Sequence, residues 1–360
     1  MNSASSSLVF IKGHHQTLFK TQTCSSTKTQ NLKPRMAKML VRSLIFCPFI
    51  IVNTLALSAW SYGLNQSRNR PSSLATTSTT VAYHGGPLLT RPSGINIYLI
   101  WYGAFSSKDR TTITDFFASF SPKGLVPHQE PSVSTWWRTV TSYKDKAHTP
   151  VSRIVRLVKQ VGDPYSLGKN LKRAQIGNLV NNNIVISNKL PVDSNAIYLV
   201  LTAKDVSVEK FCMDSCGFHD SVLVTPKGSV IVYAHVGDAV QCPGFCAWPY
   251  ALPAYGPPGQ ALVAPNGVGA DGMVINIATI LAGAATNPFK TGYFQGDILA
   301  PLEAVSACPG IFGAGAYPGY PGNLMVDKFS KASYNVYGAN GEKFLLPAVW
   351  DLVGLTCKVV

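Results

Sequence analysis

Acid is scarce in this chain. Only 17 of its 360 residues are Asp or Glu, and no pair of them is suggestively placed. Glycoside hydrolysis rests on two facing carboxylates, so that chemistry has little to draw on. No G-x-S-x-G elbow occurs and no Walker A loop, which removes two common signatures of hydrolytic and phosphate chemistry. The stretch "YHGGP" has the outline of an esterase oxyanion loop, but no nucleophile elbow accompanies it. No basic stripe interleaved with aromatics is present, which sets nucleic acid aside as a partner. The Pro-rich repeats of a purely structural wall protein are missing as well.

What is present is apolar and rich in turn residues. Apolar types make up 46% of the chain against 13% charged, with 30 Gly and 24 Pro. That balance reads as a loop-rich secreted protein. The formal charge of +14 is partly a leader effect. Residues 1–59 hold Lys12, Lys20, Lys28, Lys33, Arg35, Lys38 and Arg42 and no acid. Without those seven, +7 remains. A mildly basic mature chain suits an acidic matrix such as pectin; a generally solvated basic surface is the plainer reading.

From Met36 the order is Lys38 and Arg42, then an uncharged apolar run to Ala59, then small residues at Ser58, Ala59 and Ser61. This is the layout of a secretory signal peptide, with cleavage expected near residues 59–63. Pro48 and the polar "WSYGLNQS" oppose a stable membrane span. Residues 1–35 are rich in Ser, Thr and Lys, and translation from Met1 or from Met36 both stay open. The expected organisation is an extension and signal peptide at 1–59, a flexible lead-in at 60–80 and one domain at 81–360. Asn65 opens the sequon Asn-Gln-Ser, a candidate N-glycosylation site.

Cys24 and Cys47 fall in the leader. Cys212, Cys216, Cys242, Cys246, Cys308 and Cys357 remain. An even count in a secreted chain reads as a disulfide framework, and six cysteines allow 15 pairings. The local pairs Cys212–Cys216 and Cys242–Cys246 are in reach; pairing across the two loops is the alternative. A zinc site built from the two C-x-x-x-C pairs is the rival, although structural zinc more often uses a two-residue gap.

Along the mature chain, "INIYLIWYG", "NAIYLVLTA" and "GSVIVYAHV" read as buried strands, and "RIVRLVKQV" alternates as a strand. "SSKDRTTITDFFASF" reads as a Ser-capped helix, "VSTWWRTVTSY" as a second, and "LKRAQIGNLVNNN" as a short helix fading into an Asn-rich turn. A longer helix is expected over Gly269 to Ala285, ended by Asn287-Pro288. "ASYNVYGANGEKFLLPAV" reads as a closing hairpin. The alternation predicts an α/β (α+β) fold: a single disulfide-stapled domain with a mixed sheet flanked by helices.

Three sets of residues invite functional readings. His219, Asp220 and His235 could form a catalytic or metal cluster; a turn histidine and a strand-end substitution are the plainer accounts. Trp248, Tyr250 and Tyr255 could stack on sugar rings, or pack a Pro-rich loop internally. On the long helix, Thr279 and Gly283 stand four residues apart, where a zinc peptidase helix would carry ligands. Neither can supply one, and close packing at Gly283 is expected instead. No catalytic residue, cofactor or metal is assigned.

The segments "LTAKDVSVEKFCMDSCGFHD", "QCPGFCAWPY", "LVAPNGVGADGMVINIATILAGAATNPF", "APLEAVSACPGIFGAGAYPGYPGNLMVD" and "SYNVYGANGEKFLLPAVWD" resemble the plant EXORDIUM-like (phosphate-induced protein) family. The resemblance runs from about Val81 to Cys357. It implies a secreted protein of the apoplast and cell wall, linked to growth and brassinosteroid or carbon-status signalling. It brings no catalytic residues with it. Its implied partner is a cell-wall polysaccharide or an extracellular receptor. A more distant resemblance is to bacterial secreted proteins with a His-Glu-x-x-Glu helix ending in Thr-Asp-Pro. Here Thr286-Asn287-Pro288 matches that ending, and Thr279 to Gly283 fills the ligand positions. This implies a degenerate zincin-like scaffold; its alternative functional reading is a cryptic extracellular hydrolase or metal-dependent enzyme.

Overall fold

The computed structural model describes residues 80–121, 129–224, 228–254 and 259–360. All belong to the unit Thr76–Val360. The signal peptide, the 60–79 lead-in, Asn65 and Tyr255 lie outside the described residues.

Five strands form the central sheet: β1 (Ile95–Tyr102), β2 (Val155–Asp163), β3 (Ala196–Thr202), β4 (Gly217–Val224) and β5 (Ser229–Gly237). Their spatial order is β2-β1-β3-β5-β4. All neighbours are parallel except β4, which runs antiparallel to β5 at the edge. The sequence explains the layering. β1 and β3 are near-continuous apolar runs, as strands covered on both faces must be, and β3 is buried at every position. β2 is an edge and is mostly open to solvent, with Arg156, Val158, Lys159 and Gln160 exposed.

Helices α1 (Ser107–Ala118), α2 (Val133–Val140) and α4 (Val268–Thr286) cover one face. Helix α3 (Arg173–Asn181), continued by a π-helical turn over Asn182–Ile186, covers the other. The three layers bury two apolar clusters, one on each side of the sheet. Local signals start the helices on the first face. Ser106 caps α1 by accepting from the Asp109 amide at 3.1 Å, and Ser132 caps α2 by accepting from the Thr135 amide at 3.2 Å. The two tryptophans of α2 are fully buried, so their N–H groups need partners. Trp136 donates to the Pro347 carbonyl at 2.8 Å and Trp137 to the Ser152 carbonyl at 2.9 Å.

The mixed α/β architecture is the expected one. The long helix extends one residue beyond expectation at each end, and Val336–Tyr337 pairs with Lys343–Phe344 as the closing hairpin. By length and composition α4 could cross a bilayer, but 72% of its apolar window is buried in the protein. It is the core helix of the domain. Within the central sheet, β4 ("GFHDSVLV") is the one strand that the sequence patterns do not predict.

The cysteines pair across the loops, not within them: Cys212–Cys242, Cys216–Cys246 and Cys308–Cys357. The local pairing is overturned because the two loops leave neighbouring parts of the β4–β5 hairpin. The two C-x-x-x-C segments therefore run side by side. Their sulfurs gather as a zinc site would require, but they are joined to each other.

Candidate functional site

Helix α4 carries most of the unusual chemistry. Its first turn holds Asp271, buried and held chiefly by Asn266, with the Gly267 backbone beside it. The carboxylate accepts from the Asn266 amide at 2.7 Å and from its Nδ2 at 2.9 Å. Burial raises the Asp271 pKa to about 7 against the help of these bonds. The helix lies close to the Cys loop because Gly272 has no side chain; a Cβ there would meet Ala239 and Ala247 within 3 Å.

At the other end the helix meets β4. His219 points from β4 toward α4, and Glu303 comes in from the loop beyond the Gln295–Leu302 bridge. The His219 Nε2 is 2.9 Å from both Glu303 oxygens. Asn287, which ends the helix, donates from Nδ2 to Glu303 Oε1 at 2.7 Å and accepts from the Gly292 amide at 2.7 Å. Gly283 makes room for this arrangement, since a Cβ there would overlap the Glu303 carboxylate. The two side chains are only 6% and 11% exposed. His219 Nδ1 is buried without a hydrogen-bond partner. The tight contact expected at Gly283 thus has a polar cause: the position of a missing helix side chain is filled by a carboxylate from elsewhere.

Two turns earlier the same helix borders an open cleft of about 180 Å³. Asn276 and Thr279 of α4 form one side, Phe245 and Trp248 of the Cys loop another, and Ser306 and Phe312 a third. None of the lining residues carries a titratable charge. A second cleft, of about 380 Å³, lies away from α4 between Tyr83, Tyr293 and the 142–148 segment. Its two tyrosine rings stack at 4.7 Å, and Lys144, Lys146 and His148 stand exposed at its rim.

The structure separates the residues that the sequence had grouped. Neighbouring strand residues face opposite sides of a sheet. His219 sits opposite Ala234 and faces α4, whereas His235 sits opposite Phe218 on the other face. Asp220 shares the face of His235 but reaches outward to Lys290 at 2.8 Å, a half-exposed pair. No His219–Asp220–His235 cluster exists. His235 is fully buried, bonded to Thr202 Oγ1 at 2.9 Å, and burial, with Arg173 nearby, drives its pKa down to about 3. Of the three aromatics, Trp248 lines the first cleft. Tyr250 is not available for stacking: it is buried, and its hydroxyl donates to the Ser333 carbonyl at 2.7 Å. Sequence reasoning missed Glu303, Asn276 and the Tyr83–Tyr293 cleft. Among these only the helical i, i+3 spacing of Asn276 and Thr279 was available as a signal.

Among the described residues, the fold and its closures define a three-layer α/β domain stapled by three disulfides, with a buried His–carboxylate pair and an uncharged cleft against its central helix. The chain belongs to the family described as "Phosphate-induced protein 1 conserved region", whose model matches residues 81–360. It is 47% identical to Protein EXORDIUM-like 2 of Arabidopsis thaliana over 283 residues, covering 77% of this chain and 88% of that protein. It is 46% identical to Protein PHOSPHATE-INDUCED 1 of Nicotiana tabacum, covering 77% and 87%. Protein EXORDIUM of Arabidopsis thaliana matches at 44% identity over 88% of this chain and 99% of its own length. No solved structure matches the chain, and none therefore supports the zincin-like scaffold read from the sequence.

Proposed function

We propose that this is a secreted protein of the apoplast and cell wall that acts in growth and brassinosteroid-linked signalling by binding a wall polysaccharide or a receptor ectodomain, not by catalysis. The observation that carries this reading is a separation on α4. The His219–Glu303 pair packed against its C-terminal end is closed into the core, with both Glu303 oxygens engaged. The helix's open cleft offers aromatic, hydroxyl and amide groups but nothing that titrates. General acid–base chemistry needs a titratable group within reach of the substrate; recognition does not. The leader and the three cystines support the compartment, because disulfides persist in oxidising surroundings.

The test is a pulldown with protein collected from the medium, against wall glycans and receptor ectodomains, beside N-terminal sequencing of the same material. Saturable binding and a start near residues 59–63 are expected. Exported protein that keeps residues 1–35, or that hydrolyses a wall polymer without retaining it, overturns the reading.

A further inference from the structure

We infer that the cleft over Asn276 and Thr279 is a subsite for one neutral sugar ring, with Trp248 as its stacking wall. This rests on the extracellular-binding reading above and names the ligand class of that surface.

Size is the first argument. At about 180 Å³ the cleft lies below the roughly 300–1,000 Å³ of pockets that enclose drug-sized ligands. It has room for about six waters at ~30 Å³ each, the scale of a single ring. Polarity is the second. Asn276 donates from Nδ2 to the Cys246 carbonyl at 2.8 Å, which leaves its Oδ1 as an acceptor. Thr279 donates to the Ile275 carbonyl at 2.9 Å, which leaves its oxygen lone pairs. Ser306 Oγ accepts from the Glu303 amide at 2.7 Å, which leaves its O–H as a donor. The cleft thus presents two acceptors and two donors, the Ser306 O–H and the second N–H of Asn276, beside aromatic surface. An anion would face acceptors without a cation, and a cation would find no carboxylate. An apolar ligand would strand all three polar groups. A polyol ring satisfies them through its hydroxyls and offers an apolar face to the indole.

Rigidity is the third argument. Cys246 and Cys308 both lie in the wall, so the Cys216–Cys246 and Cys308–Cys357 disulfides brace it from two sides. Trp248 packs against Phe312, ring centroids 5.9 Å apart, and over Gly310, where a Cβ would come within 3.3 Å of the indole. A wall held in place before binding reduces the ordering cost that weakens sugar recognition.

The experiment titrates the secreted full-length protein with neutral tetrasaccharides of glucose, xylose, galactose and mannose, and with tetragalacturonate, followed by tryptophan fluorescence and calorimetry. At least one neutral sugar should bind. Trp248→Ala should weaken it tenfold or more, and Thr279→Leu, which fills the cleft from the helix side, should do the same with the indole intact. Thermal unfolding of both variants serves as the folding control. Failure of all four neutral sugars to bind, or binding indifferent to both variants, overturns the inference. Tetragalacturonate binding without neutral binding also overturns it, and points to the Lys144–Lys146 cleft while leaving the binding function intact. Absence of any glycan or receptor capture removes the functional reading as well.

Discussion

At its C-terminal end α4 has no side chain at Gly283, and the vacancy is filled by the carboxylate of Glu303, locked between His219 and Asn287. Two turns earlier the same helix shows Asn276 and Thr279 to an open, uncharged cleft. One end hides its charge and the other exposes neutral polar groups. The difference teaches where function can reside. A buried hydrogen-bonded pair contributes little net stability when complete, but removing one partner leaves the other buried and unsatisfied and costs far more. The closed end is therefore a structural lock, and the open end is free to meet a ligand.

The largest expected effect comes from forcing a side chain into the lock. Gly283→Leu should displace Glu303 and cost about 3–5 kcal/mol, from overpacking and a broken buried pair together. Denaturant unfolding of the secreted variant checks this; a loss under about 1 kcal/mol would mean that the vacancy is not occupied as described. Next is the brace of the open end. Replacing both Cys216 and Cys246 by Ser opens one bridge while Cys212–Cys242 still closes nearly the same stretch of chain, so the loss is about 2–3 kcal/mol in the chain-entropy account for the short loop between the two bridges. Yield from the medium should fall with it, and unchanged stability would contradict the brace.

A smaller and more discriminating effect is pH-dependent. His235 resists protonation until about pH 3 in the fold, against about 6.5 in the unfolded chain, so its share of stability is complete above 6.5 and drains as pH falls. Asp271 behaves in the opposite sense. Its carboxyl ionises near 3.8 when unfolded and near 7 in the fold, so its share is complete below 3.8 and drains as pH rises. Between about pH 4 and 6.5 the two slopes oppose each other. Asp271→Asn should unmask the histidine, making stability fall with acidification more steeply than in the wild type, by about 1.4 kcal/mol per pH unit at most. Identical slopes would refute the assignment. Smallest of all, Thr279→Ala should change stability by less than about 1 kcal/mol, since its only bond is to its own helix. A severe loss would mean that the open end is structural too.

The parts of this comparison were unequally legible in the sequence. β1, β3, β5 and α4 announced themselves because apolar runs and a small-residue helix are local patterns. β4 was lost because an edge strand of intermediate burial, following a cysteine, has no continuous apolar signature. With β4 lost, the alternation that sends His219 and Asp220 to opposite faces could not be applied, and the two were grouped wrongly with His235. The partner of His219 lies 84 residues away, so no local spacing could name Glu303. Gly283 was legible as a point of close approach, but not what approaches it. The cysteine pairing failed for the same reason: reach along the chain favours local bridges, while the hairpin sets the true neighbours.

The claim that the closed end of α4 is a lock is tested most directly by a double-mutant cycle on His219→Ala and Glu303→Ala, read by equilibrium unfolding of the secreted protein. The account predicts that each single variant is strongly destabilised, that the double variant loses less than their sum, and that the coupling is about 1–3 kcal/mol. Additive single effects, or near-wild-type stability in both variants together with loss of ligand binding, would contradict it.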